Sequence, residues 1–210
     1  MSQPANITTV KDGMGPVQRG LKRALDTVSA ALGLVILSPV FLVIALLMKR
    51  QHNGPVIFRQ VRIGYGGKPF VMYKFRTLSS EIEEKGPQLV AKCDDSNSTK
   101  LEQFLRSNHI DELPQLWNVL KGDMAFVGPR PERKFFIDQI IANDPRYPQL
   151  YAMRPGLTSD ATLYNGYTDT MEKMLKRLEM DLDYYRRRSL VLDFKIITKT
   201  VLSILTGRKI

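Results

Sequence analysis

The chain has 210 residues, 43% of them hydrophobic and 25% charged, a balance that excludes a disordered polymer and suits one compact domain with an appendage. Lys plus Arg number 31 against 21 Asp plus Glu, so the formal charge is +10 and the natural partners are anionic: nucleic acid, acidic lipid or phosphorylated metabolites. The single cysteine, Cys93, excludes an internal disulfide and any multi-cysteine metal site, and a reducing compartment is the simplest reading.

In chain order, residues 1–17 read as a flexible N-terminal segment, and 18–50 as a basic segment followed by an apolar run. Thr27 to Met48 carries no charged side chain. As a helix this run measures roughly 33 Å, enough for a ~30 Å hydrocarbon layer. Pro39 lacks an N–H and Ser38 can bond a freed carbonyl, so the middle of the run is built to bend. Each arm is then about half a bilayer deep, the dimension of a re-entrant hairpin. Both flanks are basic, with Arg19, Lys22 and Arg23 before the run and Lys49, Arg50, Arg59 and Arg62 after it, which favours both ends on one face. A kinked single span and a buried soluble helix are the competing readings.

Residues 51–210 read as one further domain. "GPVIFRQVRIGYGGKPFVMYKFRTL" predicts two strands joined by a turn at Gly64 to Gly67. Period two places Phe70, Met72, Lys74 and Arg76 on one face. Taken alone, the two cations suit a charged, solvated edge strand. Ser79 to Ser98 is polar and reads as a connection or lid. A helix follows through "TKLEQFLRS", with Leu101, Phe104 and Leu105 inward.

In "NHIDELPQLWNVLKGDMAFVGPRPE", Asp111 suits an N-cap, Pro114 a first turn and Gly122 a stop, with Trp117 in the core. Asp111 and Glu112 would then sit at a helix start, where phosphate also binds. A lone Asp-Glu pair before a helix is ordinarily a cap and a first-turn charge. Here Arg106, Lys121, Arg130 and Arg133 crowd the same stretch, and a carboxylate pair among cations suits Mg²⁺ and phosphate chemistry. Arg130, between two prolines, has a restricted backbone that can aim its guanidinium at a diphosphate. Arg154, before Pro155 and Gly156, repeats the device. His52 and His109, the two histidines, form no metal or triad spacing.

"MEKMLKRLEMDLDYYRRR" predicts a helix with Met171, Met174, Leu175, Leu178 and Leu182 inward. The final segment repeats Leu190, Phe194, Ile197, Val201 and Leu205, and can pack on the domain or lie in a membrane interface. The fold class is therefore α+β: an N-terminal re-entrant helix-break-helix hairpin and a small, mostly helical domain with a β-hairpin.

These residues together resemble a family, the bacterial monotopic phosphoglycosyl transferases, also called bacterial sugar transferases or initiating polyprenyl glycosylphosphotransferases. The resemblance runs from Gln18 onward. It is carried by the Ser-Pro run, "GPVIFRQVRIGYGGKPFVMYKFRT", "IDELPQLWNVLKGDMAFVGPRPE", "MRPGLT" and "MDLDYYRRRSLVLDFKII". It implies a membrane-dipping hairpin, a catalytic domain on the cytoplasmic face of the bacterial inner membrane, and transfer of a sugar 1-phosphate from a UDP-sugar to a polyprenyl phosphate with release of UMP. It implies Asp111 and Glu112 as the catalytic pair, a covalent phosphosugar at Asp111, and Mg²⁺ assistance at the same carboxylates. Lys74, Arg76, Arg106, Arg130 and Arg154 are the expected phosphate contacts.

The chain departs from the family wording after the Arg-Pro-Gly turn, where Ser159 and Asp160 replace a Gly-Trp pair, Thr162 lies near a Gln position and Tyr167 stands where Arg is usual. That loop bears on donor choice. A catalytically silent membrane protein that keeps the fold to bind a partner is the competing function; a nucleic-acid-binding role rests on charge alone, and no nucleic-acid partner is expected. Anionic phospholipid is an expected partner, and a homodimer is left open.

Overall fold

The computed structural model describes residues 9–51, 55–77, 98–166 and 168–206. The expected polar lid, apart from Ser98, lies outside them, as do His52, Cys93 and Tyr167. The architecture is mixed helix and sheet.

A single helix, α1 (Pro16–Gln51), holds the whole apolar run. Its most apolar 18-residue window has mean hydropathy 2.8 and is only 11% buried, so it is long and apolar enough to cross a bilayer and is not a core helix. The expected interruption at Ser38 and Pro39 does not occur as a gap in helical residues: α1 passes through both. The physical reason is local. Proline removes the N–H that would serve the Val35 carbonyl, four residues earlier, and the Ser38 hydroxyl donates to that same carbonyl at 2.8 Å.

Just before α1 the described chain is tied down. The Asp12 carboxylate accepts from Arg188 Nε at 2.6 Å and Nη2 at 2.5 Å, Gly13 N–H donates to the Tyr185 carbonyl at 3.0 Å, and Met14 is buried.

Strands β1 (Ile57–Ile63) and β2 (Pro69–Phe75) pair antiparallel from Ile57 opposite Phe75 to Ile63 opposite Pro69, as the turn chemistry predicts. Gly66 and Gly67 take positive φ of 67° and 71° in the turn, where a side chain would be strained. Helix α2 (Lys100–Ser107) starts with a capping box in which Thr99 and Glu102 satisfy each other's backbone N–H groups. Leu105 faces inward, but Phe104 is exposed.

A single 3-10 turn, Ile110–Glu112, then leads into α3 (Gln115–Lys121), which ends at Gly122 with φ 94°. Asp111 is not the N-cap: the helix begins after Pro114, and no side chain caps it. Trp117 is half-exposed rather than core. Asn118 is fully buried and staples α3 to β2, its Nδ2 donating to the Val71 carbonyl at 2.7 Å and its Oδ1 accepting from Tyr73 N–H at 3.1 Å.

Strands β3 (Ala125–Val127) and β4 (Gly156–Thr158) form a short parallel pair. Around them pack α4 (Lys134–Asn143), a 3-10 segment (Tyr147–Ala152), α5 (Asp160–Asn165), α6 (Met171–Arg187) and α7 (Leu190–Leu205). The main core joins Phe136, Ile137 and Ile140 of α4 to Leu150, Met153, Met174, Leu178, Leu182 and Ile196. The predicted inner face of α6 is thus observed. On α7 the inner residues are Leu192, Ile196 and Ile197, whereas Phe194 and Val201 face outward. Both sides of α7 are apolar, so periodicity alone did not select the inner one.

Apolar residues of helix α1 pack on this body in two patches. Ala30 packs with Val119 and Met124, and Gly33 lies against Leu116, where an added Cβ would meet Leu116 Cδ1 at 3.3 Å. Further along, Ile44 and Met48 pack with Phe75 and Leu105. Val35 and Ile36, between these patches, are 72% and 70% exposed.

Candidate active site

Four backbone segments converge on one cleft, lined by Arg62, Met72, Lys74, Glu112, Gln115, Arg130, Pro131 and Gly156. The strand pairing explains the first group. Arg62 lies opposite Phe70, Gln60 opposite Met72 and Phe58 opposite Lys74, so Arg62, Met72 and Lys74 share one face of the hairpin. The 3-10 turn brings Glu112 to Lys74, and the Pro129-Arg130-Pro131 segment brings Arg130 to the same carboxylate.

Lys74 Nζ donates to Glu112 Oε1 at 2.5 Å, and Arg130 Nη2 stands 3.6 Å from the same oxygen. Burial disfavours the Glu112 charge, but Lys74 and Arg130 outweigh it and hold this carboxyl well below the usual carboxylate range. Asp111 behaves oppositely. It is 8% exposed, and burial pushes its pKa up to about 6 against the pull of Lys74, with the Glu112 charge adding to the rise and Arg106 and Arg130 opposing it. Two adjacent carboxylates are thereby separated in proton affinity, an arrangement associated with division of chemical roles. His109, just before the pair, holds a left-handed backbone with φ 55°, uncommon for a side chain of its size. Burial lowers its pKa, so it sits beside the pair chiefly as a neutral imidazole at neutral pH.

Of the expected phosphate contacts, Lys74 and Arg130 meet at Glu112, and Arg106 acts electrostatically on Asp111. Arg76, Arg106 and Arg154 are outside the cleft lining, and Asp111 lies beside it next to Glu112. Arg154 Nε instead donates to the Gly122 carbonyl at 2.9 Å and its guanidinium lies 5.1 Å from the centre of the Tyr65 ring. Arg23 joins it at the end of α3, donating to the Val119 and Leu120 carbonyls at 2.7 and 2.9 Å. The two arginines cap the negative end of that helix. At its other end, the Leu116 and Trp117 N–H groups are already used by the Leu113 and Pro114 carbonyls, so the helix start is not the anion site that the sequence suggested.

Arg62 and Gln115 are cleft residues that sequence reasoning missed. Projecting the hairpin register across the Gly64 to Gly67 turn would have found Arg62. A network continues from it: Arg62 and Arg177 both pair with Glu132, at 3.5 and 3.2 Å, and Arg177 also donates to the Gly166 carbonyl at 3.3 Å. The departing loop therefore meets the cleft through buried charge. Within that loop Ser159 is a structural cap, its Oγ accepting from Thr162 N–H at 3.0 Å.

Among the described residues no three His, Cys, Asp or Glu side chains group as a metal cage. A pair of adjacent carboxylates does suit Mg²⁺, which takes one or two carboxylates and completes its octahedron with water and substrate oxygens. Asp111 and Glu112 are the residues that would hold it.

The family model described as bacterial sugar transferase matches residues 17–207. The chain belongs to this family. Among curated relatives of this bacterial sugar transferase, a Caulobacter vibrioides protein named UDP-glucose:undecaprenyl-phosphate glucose-1-phosphate transferase is 42% identical over 207 residues, covering 95% of this chain and 76% of the relative. An Aeromonas hydrophila protein named UDP-N-acetylgalactosamine-undecaprenyl-phosphate N-acetylgalactosaminephosphotransferase is 38% identical over 192 residues, covering 91% of this chain. The chain spans 45% of that relative's length. An exopolysaccharide production protein of Rhizobium leguminosarum is 38% identical over 197 residues, covering 90% of this chain and 97% of its own.

Proposed function

We propose that this bacterial sugar transferase moves a sugar 1-phosphate from a UDP-sugar to a membrane polyprenyl phosphate, forming the polyprenyl diphosphate sugar that begins a surface glycan. The observation that carries the reading is the split carboxylate pair: Glu112 is fixed as an anion by Lys74 and Arg130, while Asp111 beside it is buried and engaged electrostatically by the same cations. The relatives' printed names supply the class of donor and acceptor.

In this mechanism Lys74, Arg130 and Arg62 draw the diphosphate into the cleft and offset its charge, so that a carboxylate can approach phosphorus. An Asp111 oxygen forms a bond to the sugar-side phosphorus as the bond from that phosphorus to the UMP oxygen breaks, and UMP departs. A polyprenyl phosphate oxygen then bonds to the same phosphorus, and the bond to Asp111 breaks. When bound, Mg²⁺ at Asp111 and Glu112 would polarise the phosphoryl oxygens and neutralise charge. Glu112, held by Lys74, orients the pair.

The cleft must meet a lipid headgroup, and α1 provides for this. We read α1 as re-entrant, with both ends on the cytoplasmic face of the inner membrane. Three observations support that reading: Ala30 and Gly33 before Pro39, and Ile44 and Met48 after it, pack on the same body; Val35 and Ile36 between them are exposed; and both flanks are basic.

The test is UMP release from a panel of UDP-sugars with Mg²⁺ and no lipid acceptor, followed by intact mass of the protein. A stoichiometric burst with a phosphosugar mass gain, absent in Asp111→Asn, is expected. Full turnover in Asp111→Asn would exclude this nucleophile.

A further inference from the structure

Two buried amides lie one turn apart on α3, and they are treated differently. Asn118 has its donor and acceptor used by the β2 backbone. Gln115 is 2% exposed, lines the cleft beside Lys74, Glu112 and Arg130, and its Nε2 is buried without a hydrogen-bond partner among the described residues. Burying an amide donor with nothing to receive its hydrogen destabilises a fold, and an apolar side chain of similar length would avoid that cost. The position is not one that packing requires to be polar, since Met72 in the same lining is apolar.

What could receive the hydrogen follows from the surrounding charge. Arg62, Lys74 and Arg130 line the cleft with the Glu112 carboxylate, and although Arg62 also pairs with Glu132, three lining cations against one lining carboxylate favour an anion rich in acceptor oxygens. The geometry points to Gln115 as a substrate-contacting residue, whose amide donates to a phosphate oxygen of the diphosphate held by Lys74 and Arg130. An amide adds a donor there without adding charge. This rests on the phosphoryl-transfer reading above, and the phosphate concerned belongs either to the nucleotide-sugar or to the polyprenyl phosphate.

The experiment compares the full chain in detergent with Gln115→Met, a variant of similar length that removes the amide. Unfolding temperature is measured without ligand, then with inorganic diphosphate, UDP and a short-chain polyprenyl phosphate in turn; kcat/KM for UMP release is measured alongside. The ligand-free variant should melt no lower than wild type. Its stabilisation by diphosphate and UDP should shrink, and kcat/KM should fall roughly 10- to 100-fold, the size of one hydrogen bond to a charged group. Loss confined to the polyprenyl phosphate arm assigns the contact to the acceptor.

A ligand-free variant that melts lower, with ligand stabilisation unchanged, would make Gln115 structural and overturn the proposal. So would failure of both Gln115→Met and Gln115→Leu to fold, or absence of any diphosphate effect on the wild type. If no UDP-sugar yields UMP from the wild type, the functional reading falls, while the diphosphate arm still decides the role of Gln115.

Discussion

Replacing Glu132 with glutamine keeps the shape of the side chain and removes one charge from a buried three-member network. Glu132 stands 3.2 Å from Arg177 and 3.5 Å from Arg62, and the two arginine side chains are only 11% and 13% exposed. Burial already lowers the Arg62 pKa to about 10, with Glu132 the foremost group resisting that fall. The variant would leave two guanidinium groups with no counter-charge at Glu132. Breaking a buried pair costs about 3–5 kcal/mol, and glutamine retains one acceptor, so the lower end of about 3 kcal/mol is expected. For a chain of this size that is a drop of roughly 6–12 °C in apparent unfolding temperature. Far-UV circular dichroism of the full chain in detergent, at one fixed scan rate, measures it. The double variant Glu132→Gln with Arg177→Met should recover part of the loss, because one of the stranded cations is gone. A single variant melting within about 2 °C of wild type, or a double variant whose loss is the plain sum of the singles, would refute the coupled network.

The burst of UMP release should rise with pH through about 6 and level off above it, since burial raises the Asp111 pKa to that value and only its carboxylate can attack phosphorus. Lys74 lowers the same pKa, so Lys74→Met should move the limb to higher pH at saturating donor; an unmoved limb would mean another group governs it. Asp181 offers a stability test. Burial raises its pKa to about 7, chiefly against Arg177, and its Oδ1 has no hydrogen-bond partner among the described residues. The unfolded chain loses this proton near the ordinary value and the folded chain near 7, so the acid's contribution to stability falls as pH rises between them and is flat above. Asp181→Asn should therefore melt higher than wild type at pH 8, with the gain shrinking toward pH 4; a gain independent of pH would refute the assignment.

Much of the fold was legible because it is local. The Gly turn fixes the hairpin, the Thr99 and Glu102 spacing fixes the start of α2, and Gly122 ends α3 in the left-handed conformation that a side chain resists. The carboxylate pair and Arg130 were legible as candidate chemistry, since a proline on each side restricts where an arginine can point. What failed was long-range. Asp111 resembles a cap in one dimension, but Pro114 shifts the helix start and leaves Asp111 in a tighter turn. Arg154 resembles a second aimed arginine, and its Nε donates to the Gly122 carbonyl at the end of α3. The apolar character of Trp117 and Phe104 predicts an inward position, and each lies outward. An orphaned donor such as Gln115 has no signature in sequence, because lacking a partner is a property of three dimensions.

The root of α1 carries a mechanical consequence. Arg23 grips the end of α3, Lys22 bonds Asp193 on α7 at 2.6 Å, and Gly33 admits Leu116 against the helix surface. The apolar helix is thus a strut and not a leash. One residue inserted between Arg23 and Gly33 would turn everything beyond it by about 100° and advance it about 1.5 Å, so the grips on either side could not be kept together. An arbitrary hydrophobic helix grafted in its place would bring the protein to a bilayer and still leave the height and tilt of the cleft unset.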